Sequence, residues 1–534
     1  MNLFPKPKRN IFGSRSARRQ RRRRRRLVAL MLISVLLAGG LYVVARSQSG
    51  VLGGELLSRT PGNETEPKAQ GEAARAASPS EKETPDKTPE KEPAEKAEPQ
   101  PPPVPDAAKE TPAGAAYWAV APELPGVNLE SVRAVYQSKI DPSWASVRVT
   151  APGETPIPSG EEPYYAVFVH REGEVWKAEK SIRADEPDYA ANEVVPLAGV
   201  PKDLVEYLYE RNVFAAEVPE PEQVELNRDA LPGADPATFP TPAPILEGVP
   251  DSERERVEEV ARQAGERIGD YGGIAGVYVR DLDGDYGYGV RPDEQFFSAS
   301  VIKIPVMVAV YRKVDQGELE FSQEVEIQDE DWAAGAGWLQ WEEAGTKQTV
   351  GDLLLLMMTQ SDNVATNALV RTVGGPDHVN EVARSLGAKN TLLYQKVSSE
   401  RGAVPALDNH TTPRDMAVML EKIARDEAAS PQSCEYMVEL MYTNELDWWL
   451  DAGLPADIYA ANKAGWLYKV YSDVGIVNAD GRRYVVSIMS KYGPEDVNEG
   501  ELLIEDLSRA TWEAQGAETE DAEGEGDSSG ESGS

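Results

Sequence analysis

One cysteine, Cys434, stands in 534 residues, so no disulfide can form within the chain and its folded parts must hold through their cores alone. Histidine is nearly as scarce. His170, His378 and His410 lie far apart in sequence without ligand spacing, which argues against a zinc site, and no cofactor is expected. Residues 46–115 have almost no aromatic or branched apolar side chains between their Pro, Glu, Lys and Ala, and such a stretch cannot bury enough surface to fold. The acidic 516–534 is short of apolar residues in the same way. Acid itself is missing from residues 1–46, which carry 13 Lys and Arg and no Asp or Glu, so a net charge of −35 becomes −35 − 13 = −48 for the remainder. The two parts face different surroundings.

What is present begins with a basic run, 1–26, ending in Arg21 to Arg26 and abutting "LVALMLISVLLAGGLYVVA", 27–45, which contains no charge. Roughly 20 apolar residues are what a helix needs to cross a bilayer, and flanking arginine holds that end in the cytoplasm. The expectation is a single-pass signal-anchor with everything after Arg46 on the outer, cell-wall side of the cell membrane. A cleaved signal peptide is the rival, but its apolar part is usually shorter, about 7 to 15 residues, and "VVARS" is a poor cleavage site. A nucleic-acid role for the arginines is set aside, because a basic run beside a membrane span is more simply topogenic. The stretch 46–115 then reads as a disordered tether whose roughly 70 residues would reach on the order of 200 Å if fully extended.

Aromatic residues return in two blocks. The first, 116–215, holds strand-like "YYAVFVHREGEVWKAEKSI", with a turn at Arg171 to Glu174, and helix-like "PKDLVEYLYERN". It shows no catalytic constellation and reads as a small α+β accessory domain, a spacer or a binding module. A Pro-rich connector, 216–249, leads to the second block, 250–515. There Val257, Val260, Ala261, Ala264 and Ile268 share one helical face. "GIAGVYVRDL" and "DYGYGV" form a hairpin through Asp283-Gly284, and "YAANKAG", "DVGIVNADG" and "RYVVSIMS" return as strands after a long, mostly helical middle. A last helix aligns Leu503, Leu507, Ala510 and Ala514. The expected fold is α+β, a five-stranded antiparallel sheet flanked by helices plus a helical lobe.

Within this block, "FFSASVIKIPVMVAV" sets a lysine in an apolar run three places after a serine. On a helix Ser300 and Lys303 would share a face, and burial would lower the lysine pKa until it could accept the serine proton. Pro305 should bend that helix near the site. The bland alternative is an amphipathic helix whose lysine reaches the surface along its stem, and average usage predicts about one chance S-x-x-K in a chain of this length. Two more stretches change the balance: Ser361-Asp362-Asn363, and Lys463-Ala464-Gly465 followed by Trp466. Alone, the former could be a helix cap and the latter an ordinary strand end. Together and in order, S-x-x-K, S-D-N and K-[T/S/A]-G are the signature of serine β-lactamases and penicillin-binding proteins.

On these motifs the block resembles the class A β-lactamase catalytic domain, within the penicillin-binding-protein-like transpeptidase superfamily. The resemblance implies an acyl-enzyme formed on Ser300, with Lys303 taking its proton and Ser361 relaying a proton to the leaving nitrogen. Asn363 would bond Lys303 and substrate, Lys463 would attract a substrate carboxylate, and the N–H groups of Ser300 and Trp466, beside Gly465, would hold the oxyanion. It implies nothing about 46–240.

Departures from the pattern set the open questions. Ala464 replaces a Thr or Ser whose hydroxyl would help bind a carboxylate, a loss of about 1.5–3 kcal/mol. The E-x-x-L-N element that carries the deacylation base of class A enzymes is missing, and Glu400 and Asp408 are the only carboxylates between "LLYQ" and Thr411. Glu400 is the remaining candidate. Three functions therefore stand: a membrane-anchored, monomeric hydrolase that opens β-lactam substrates, a D,D-peptidase acting on peptidoglycan peptides, or a wall-binding, penicillin-sensing protein without turnover.

Overall fold

A computed structural model describes residues 106–150, 164–184, 200–209, 221–226 and 241–515, with 125, 225, 400, 445–448 and 495 excepted. The apolar run 27–45 and the acidic 516–534 lie outside the described residues. Among the described residues no helix is long and apolar enough to cross a membrane.

Order begins before the first aromatic block. The stretch 106–115, expected to belong to the tether, contains a 3-10 turn at Asp106–Glu110 and the start of α1 (Pro112–Val120), whose Thr111 hydroxyl accepts from Gly114 N at 3.0 Å. Ala113, Ala116, Tyr117 and Trp118 bury it, so a short apolar cluster after the prolines is enough to order the chain. Strands β1 (Val132–Gln137), β2 (Trp144–Thr150), β3 (Tyr164–Glu172) and β4 (Val175–Ala184) follow, then α2 (Lys202–Tyr209) and β5 (Glu222–Val224). They form an antiparallel sheet in the order β4-β3-β2-β1-β5, with the β3–β4 hairpin turning at Gly173, φ +66°.

The larger sheet corrects the expected strand number from five to six. Its order is β13-β14-β15-β7-β8-β6, antiparallel throughout, where β6 is Ile245–Glu247, β7 Ile274–Asp281, β8 Gly287–Val290, β13 Ala461–Leu467, β14 Val470–Ala479 and β15 Arg482–Lys491. The extra strand comes from the Pro-rich connector. Three residues with a free ladder edge beside them suffice to pair, and no periodicity is legible over so short a run. β5, likewise from the connector, extends the smaller sheet.

Helices cover both faces of this sheet, so its strands are apolar on both sides rather than alternating. One face carries α3 (Asp251–Gly269) and α11 (Val497–Ala514), packed on Val277, Val279, Val486 and Ile488. As expected, Val257, Val260, Ala261, Ala264 and Ile268 form the buried stripe of α3. Each buried Val or Ile contributes about 1.5–3 kcal/mol, so one acid at Val257 would detach the helix. Against the other face, through Val474, Ile476, Val485 and Met489, sits the helical lobe: α4 (Lys303–Asp315), α5 (Val350–Thr359), α6 (Asn363–Val373), α7 (Pro376–Ser385), α8 (Pro413–Ala424) and α9 (Pro431–Tyr442), with a short α10 (Trp449–Gly453) after it. Two small ribbons complete the order, β9 (Phe296–Phe297) with β12 (His410–Thr411), and β10 (Glu324–Glu326) with β11 (Lys347–Thr349).

Candidate active site

Ser300 lies in a 3-10 turn, Ala299–Ile302, and Lys303 is the first residue of α4. Side chains three apart eclipse in a 3-10 turn, which aligns this pair better than an α-helix would. Pro305 falls in the first turn of α4, where its missing N–H is one that a helix start leaves unbonded anyway. The expected bend is thus replaced by a change from 3-10 to α. Just before Ser300, Ala299 takes φ +44°, a left-handed conformation that costs a non-glycine residue about 1–3 kcal/mol and is kept only where the surroundings enforce it.

Lys303 is fully buried, as are Val301, Ile302, Ile304 and Val306 beside it in the chain. Its Nζ lies 2.9 Å from Ser300 Oγ, 3.0 Å from Ser361 Oγ, 2.8 Å from the Ser361 carbonyl and 2.9 Å from Asn363 Oδ1. The first two motifs, sixty-one positions apart in the chain (361 − 300), therefore meet on one nitrogen. Ser361 also sits at a positive φ, +57°, so both hydroxyl-bearing corners rest on strained backbone.

Asp362 does more than cap a helix. One carboxylate oxygen accepts from Ala365 N at 2.9 Å as the N-cap of α6, and the other accepts from Leu339 N at 3.0 Å. Asn363 donates from Nδ2 to the Ala334 carbonyl at 2.9 Å, and its N–H donates to the Ala336 carbonyl at 3.1 Å. The loop 334–339 is thereby fastened to the Ser-Asp-Asn turn. It needs glycine there: a Cβ on Gly337, φ +99°, would stand 2.2 Å from the Asp362 carboxyl carbon. This loop was not singled out from sequence, although the Gly-x-Gly of "AAGAGW" was its signal.

The third motif occupies β13, at the edge of the large sheet. A Cβ on Gly465 would come within 2.8 Å of the Ser300 nitrogen, so the absence of a side chain lets the strand lie against the turn that carries Ser300. Lys463 shares that strand face by the two-residue period and is fully buried, its Nζ 3.0 Å from the Ala464 carbonyl. Trp466, next after the close contact, is 59% exposed.

Of the two carboxylates considered for deacylation, Glu400 lies outside the described residues. Asp408 is buried with both oxygens occupied: one accepts from Asn409 N at 2.6 Å and Gln395 Nε2 at 2.9 Å, the other from Gly402 N at 2.7 Å. Burial pushes its carboxyl up, and the hydrogen bonds and the Arg401 charge pull it back only in part. It acts as a clasp across the loop 401–409. A small cavity beside Ala299 is lined by Gln395, Val397, Ser398, Asp408, Asn409 and Leu467.

Metal-type ligand atoms come together elsewhere, in His170, Glu172 and Glu179 on the β3–β4 hairpin, within 4.8 Å of one another. Two of the three have other contacts, since Glu172 pairs with Lys177 and His170 stacks on Trp144 at 4.7 Å.

Known proteins resemble the second block in sequence. The β-lactamase enzyme family model matches residues 258–515. A β-lactamase of Streptomyces lavendulae is 31% identical over 222 residues, covering 40% of this chain and 72% of the relative. One from Streptomyces albus G is 29% identical over 281 residues, covering 50% and 86%. Among solved structures, a β-lactamase from Sphaerobacter thermophilus is 32% identical, covering 49% of this chain and 97% of that one, with a TM-score of 0.45. With its three motifs gathered around one buried lysine, the chain belongs to the β-lactamase enzyme family and is a serine hydrolase of the class A type.

Proposed function

We propose that this protein opens β-lactam amide bonds through an acyl ester on Ser300, at the outer face of the membrane that its 27–45 segment spans. The observation that carries this reading is the position of Lys303 Nζ, buried and 2.9 Å from Ser300 Oγ and 3.0 Å from Ser361 Oγ. Burial disfavours an ammonium, and a neutral amine in this place accepts the Ser300 proton as Oγ attacks the lactam carbonyl. The oxyanion that forms is held by the N–H groups of Ser300 and Trp466. As the C–N bond breaks, the nitrogen takes a proton through the Ser361 hydroxyl, leaving the ester. Asn363 orients Lys303 and meets the substrate, while Lys463 attracts the substrate carboxylate.

A second reading, a D,D-peptidase on peptidoglycan peptides or a penicillin sensor, is favoured by one specific observation. Both oxygens of Asp408 are engaged by Gln395, Gly402 and Asn409, which disfavours it as the base for a hydrolytic water, and without such a base the ester is expected to last. A labelled penicillin and a chromogenic lactam given to the full chain separate the readings. Rapid turnover supports lactam hydrolysis, a stable adduct with D-alanine release from wall peptides supports the peptidase, and a stable adduct alone supports the sensor. Labelling that survives Ser300→Ala would sink all three. For the anchor, the chain should sediment with membranes and be released by detergent but not by high salt, and be monomeric once released.

A further inference from the structure

We propose that the small N-terminal domain is a working part of the catalytic unit: its edge strand β4 and Tyr165 hold the loop 401–409, and through it strand β9, which leads into the turn that carries Ser300, with Arg401 as the positioning residue. This rests on the acyl-serine reading above. The family model begins at residue 258, so the support lies outside the part the family shares.

Strand β4 is the outer strand of its sheet and would present unpaired backbone groups. The catalytic block covers that edge. Arg183 N donates to the Arg401 carbonyl at 3.2 Å, and Ala403 N donates to Ser181 Oγ at 2.6 Å, so 401–403 lies along β4 as an irregular added strand. The Tyr394 hydroxyl donates to the Glu179 carbonyl. Arg401, 3% exposed, donates to the Tyr165 hydroxyl, and its guanidinium stands 5.4 Å from the Tyr165 ring, 5.0 Å from Phe297 and 5.6 Å from Tyr492. Those rings come from the small domain, from the strand before the nucleophile, and from the end of β15. One buried cation therefore joins three parts of the molecule.

From Arg401 the connection to the nucleophile is short and runs through both backbone and side-chain hydrogen bonds. The Tyr492 hydroxyl donates to the Ala403 carbonyl at 2.9 Å, and Asp408 clasps Gly402. Asn409 follows, and its carbonyl accepts from Ser298 N at 2.8 Å; β12 then pairs with β9, His410 opposite Phe297. Ser298 is two residues before Ser300. A second tie runs alongside, because Lys491 Nζ reaches Glu123 of the small domain at 3.3 Å and the Gln295 carbonyl at 2.9 Å. Apolar packing is continuous as well: Val147, Val149, Tyr165 and Val167 share one core with Phe297, Val404 and Tyr492. Displacing a reacting group by about 1 Å costs on the order of a hundredfold in rate, so support at this point bears directly on acylation.

The test uses the full chain with Arg401→Lys, which keeps the charge but loses the planar group, Tyr165→Phe, which loses only the hydroxyl, and Ser181→Ala. Hydrogen exchange is read along the chain, beside penicillin acylation and thermal unfolding. In Arg401→Lys, exchange at 401–409 and 296–300 should quicken about tenfold while α11 keeps its protection. The acylation rate constant should fall about tenfold with the half-saturating penicillin concentration within twofold of the parent, and Tyr165→Phe and Ser181→Ala should fall between. Unchanged exchange in 401–409, an unchanged acylation rate, or protection lost equally from α11 overturns the proposal. A parent that never labels on Ser300 defeats the acyl-serine reading instead, and the exchange at 296–300 then decides the support by itself.

Discussion

Gly465 lies against Ser300 so closely that a Cβ on the glycine would sit 2.8 Å from the serine nitrogen, a separation that real Cβ atoms do not reach. The contact sets the distance between β13 and the turn that carries Ser300, and so the spacing of the two backbone donors proposed to hold the oxyanion. Gly465→Ala should force the strand outward. Because loss of one such donor costs about 10²–10³-fold in rate, acylation by a labelled penicillin should fall by about that factor, with the unfolding temperature nearly unchanged. Parent-like acylation would show that the donors lie elsewhere.

Asp362 bonds both the start of α6 and Leu339 N in the 334–339 loop, from complete burial. Asp362→Ala removes a cap and leaves buried donors unmatched, and should cost about 2–4 kcal/mol in denaturant unfolding. Asp362→Asn keeps one accepting oxygen and should recover part of that loss.

Acid should weaken the fold through Glu294. Burial raises this carboxyl, but the Lys491 and Arg291 charges and hydrogen bonds outweigh it and leave the group below its ordinary 4.5. A depressed folded value means the stabilisation is fully present above the unfolded value and is lost as pH falls through the folded one. Stability followed by denaturant midpoint from pH 7 downwards should therefore decline below about 4.5. Glu294→Gln should be less stable at pH 7, by up to about 3 kcal/mol, and show a shallower acid decline. An equal decline in both proteins would assign the acid sensitivity to other carboxylates.

Ala464 marks the place of a missing hydroxyl beside the buried Lys463. Ala464→Thr should improve binding of carboxylate-bearing lactams by about 1.5–3 kcal/mol, read as roughly a tenfold to hundredfold lower KM with kcat changed little. A lactam ester lacking the carboxylate is the control and should show no gain.

Local chemistry was legible wherever it repeated or obeyed a turn rule. The stripe on α3 and the Asp283-Gly284 turn follow from short-range preferences, and each stands where it was expected. Short elements did not announce themselves. Ile245–Glu247 and Glu222–Val224 become strands only because a sheet edge is open beside them, and three residues have no period to read.

Residue order alone determined which groups could take part in the chemistry, because an S-x-x-K, an S-D-N and a K-A-G in one chain limit the acid-base and nucleophilic partners to a few named side chains. Only the tertiary structure decided that Lys303 is dry and touches both serines, that Asp408 spends its oxygens on Gln395, Gly402 and Asn409, and that Arg401 joins Tyr165 of the small domain to Phe297 of β9. These are contacts between residues tens to hundreds of positions apart. No local preference encodes such contacts; they exist because burying the shared apolar surface forces the distant segments together.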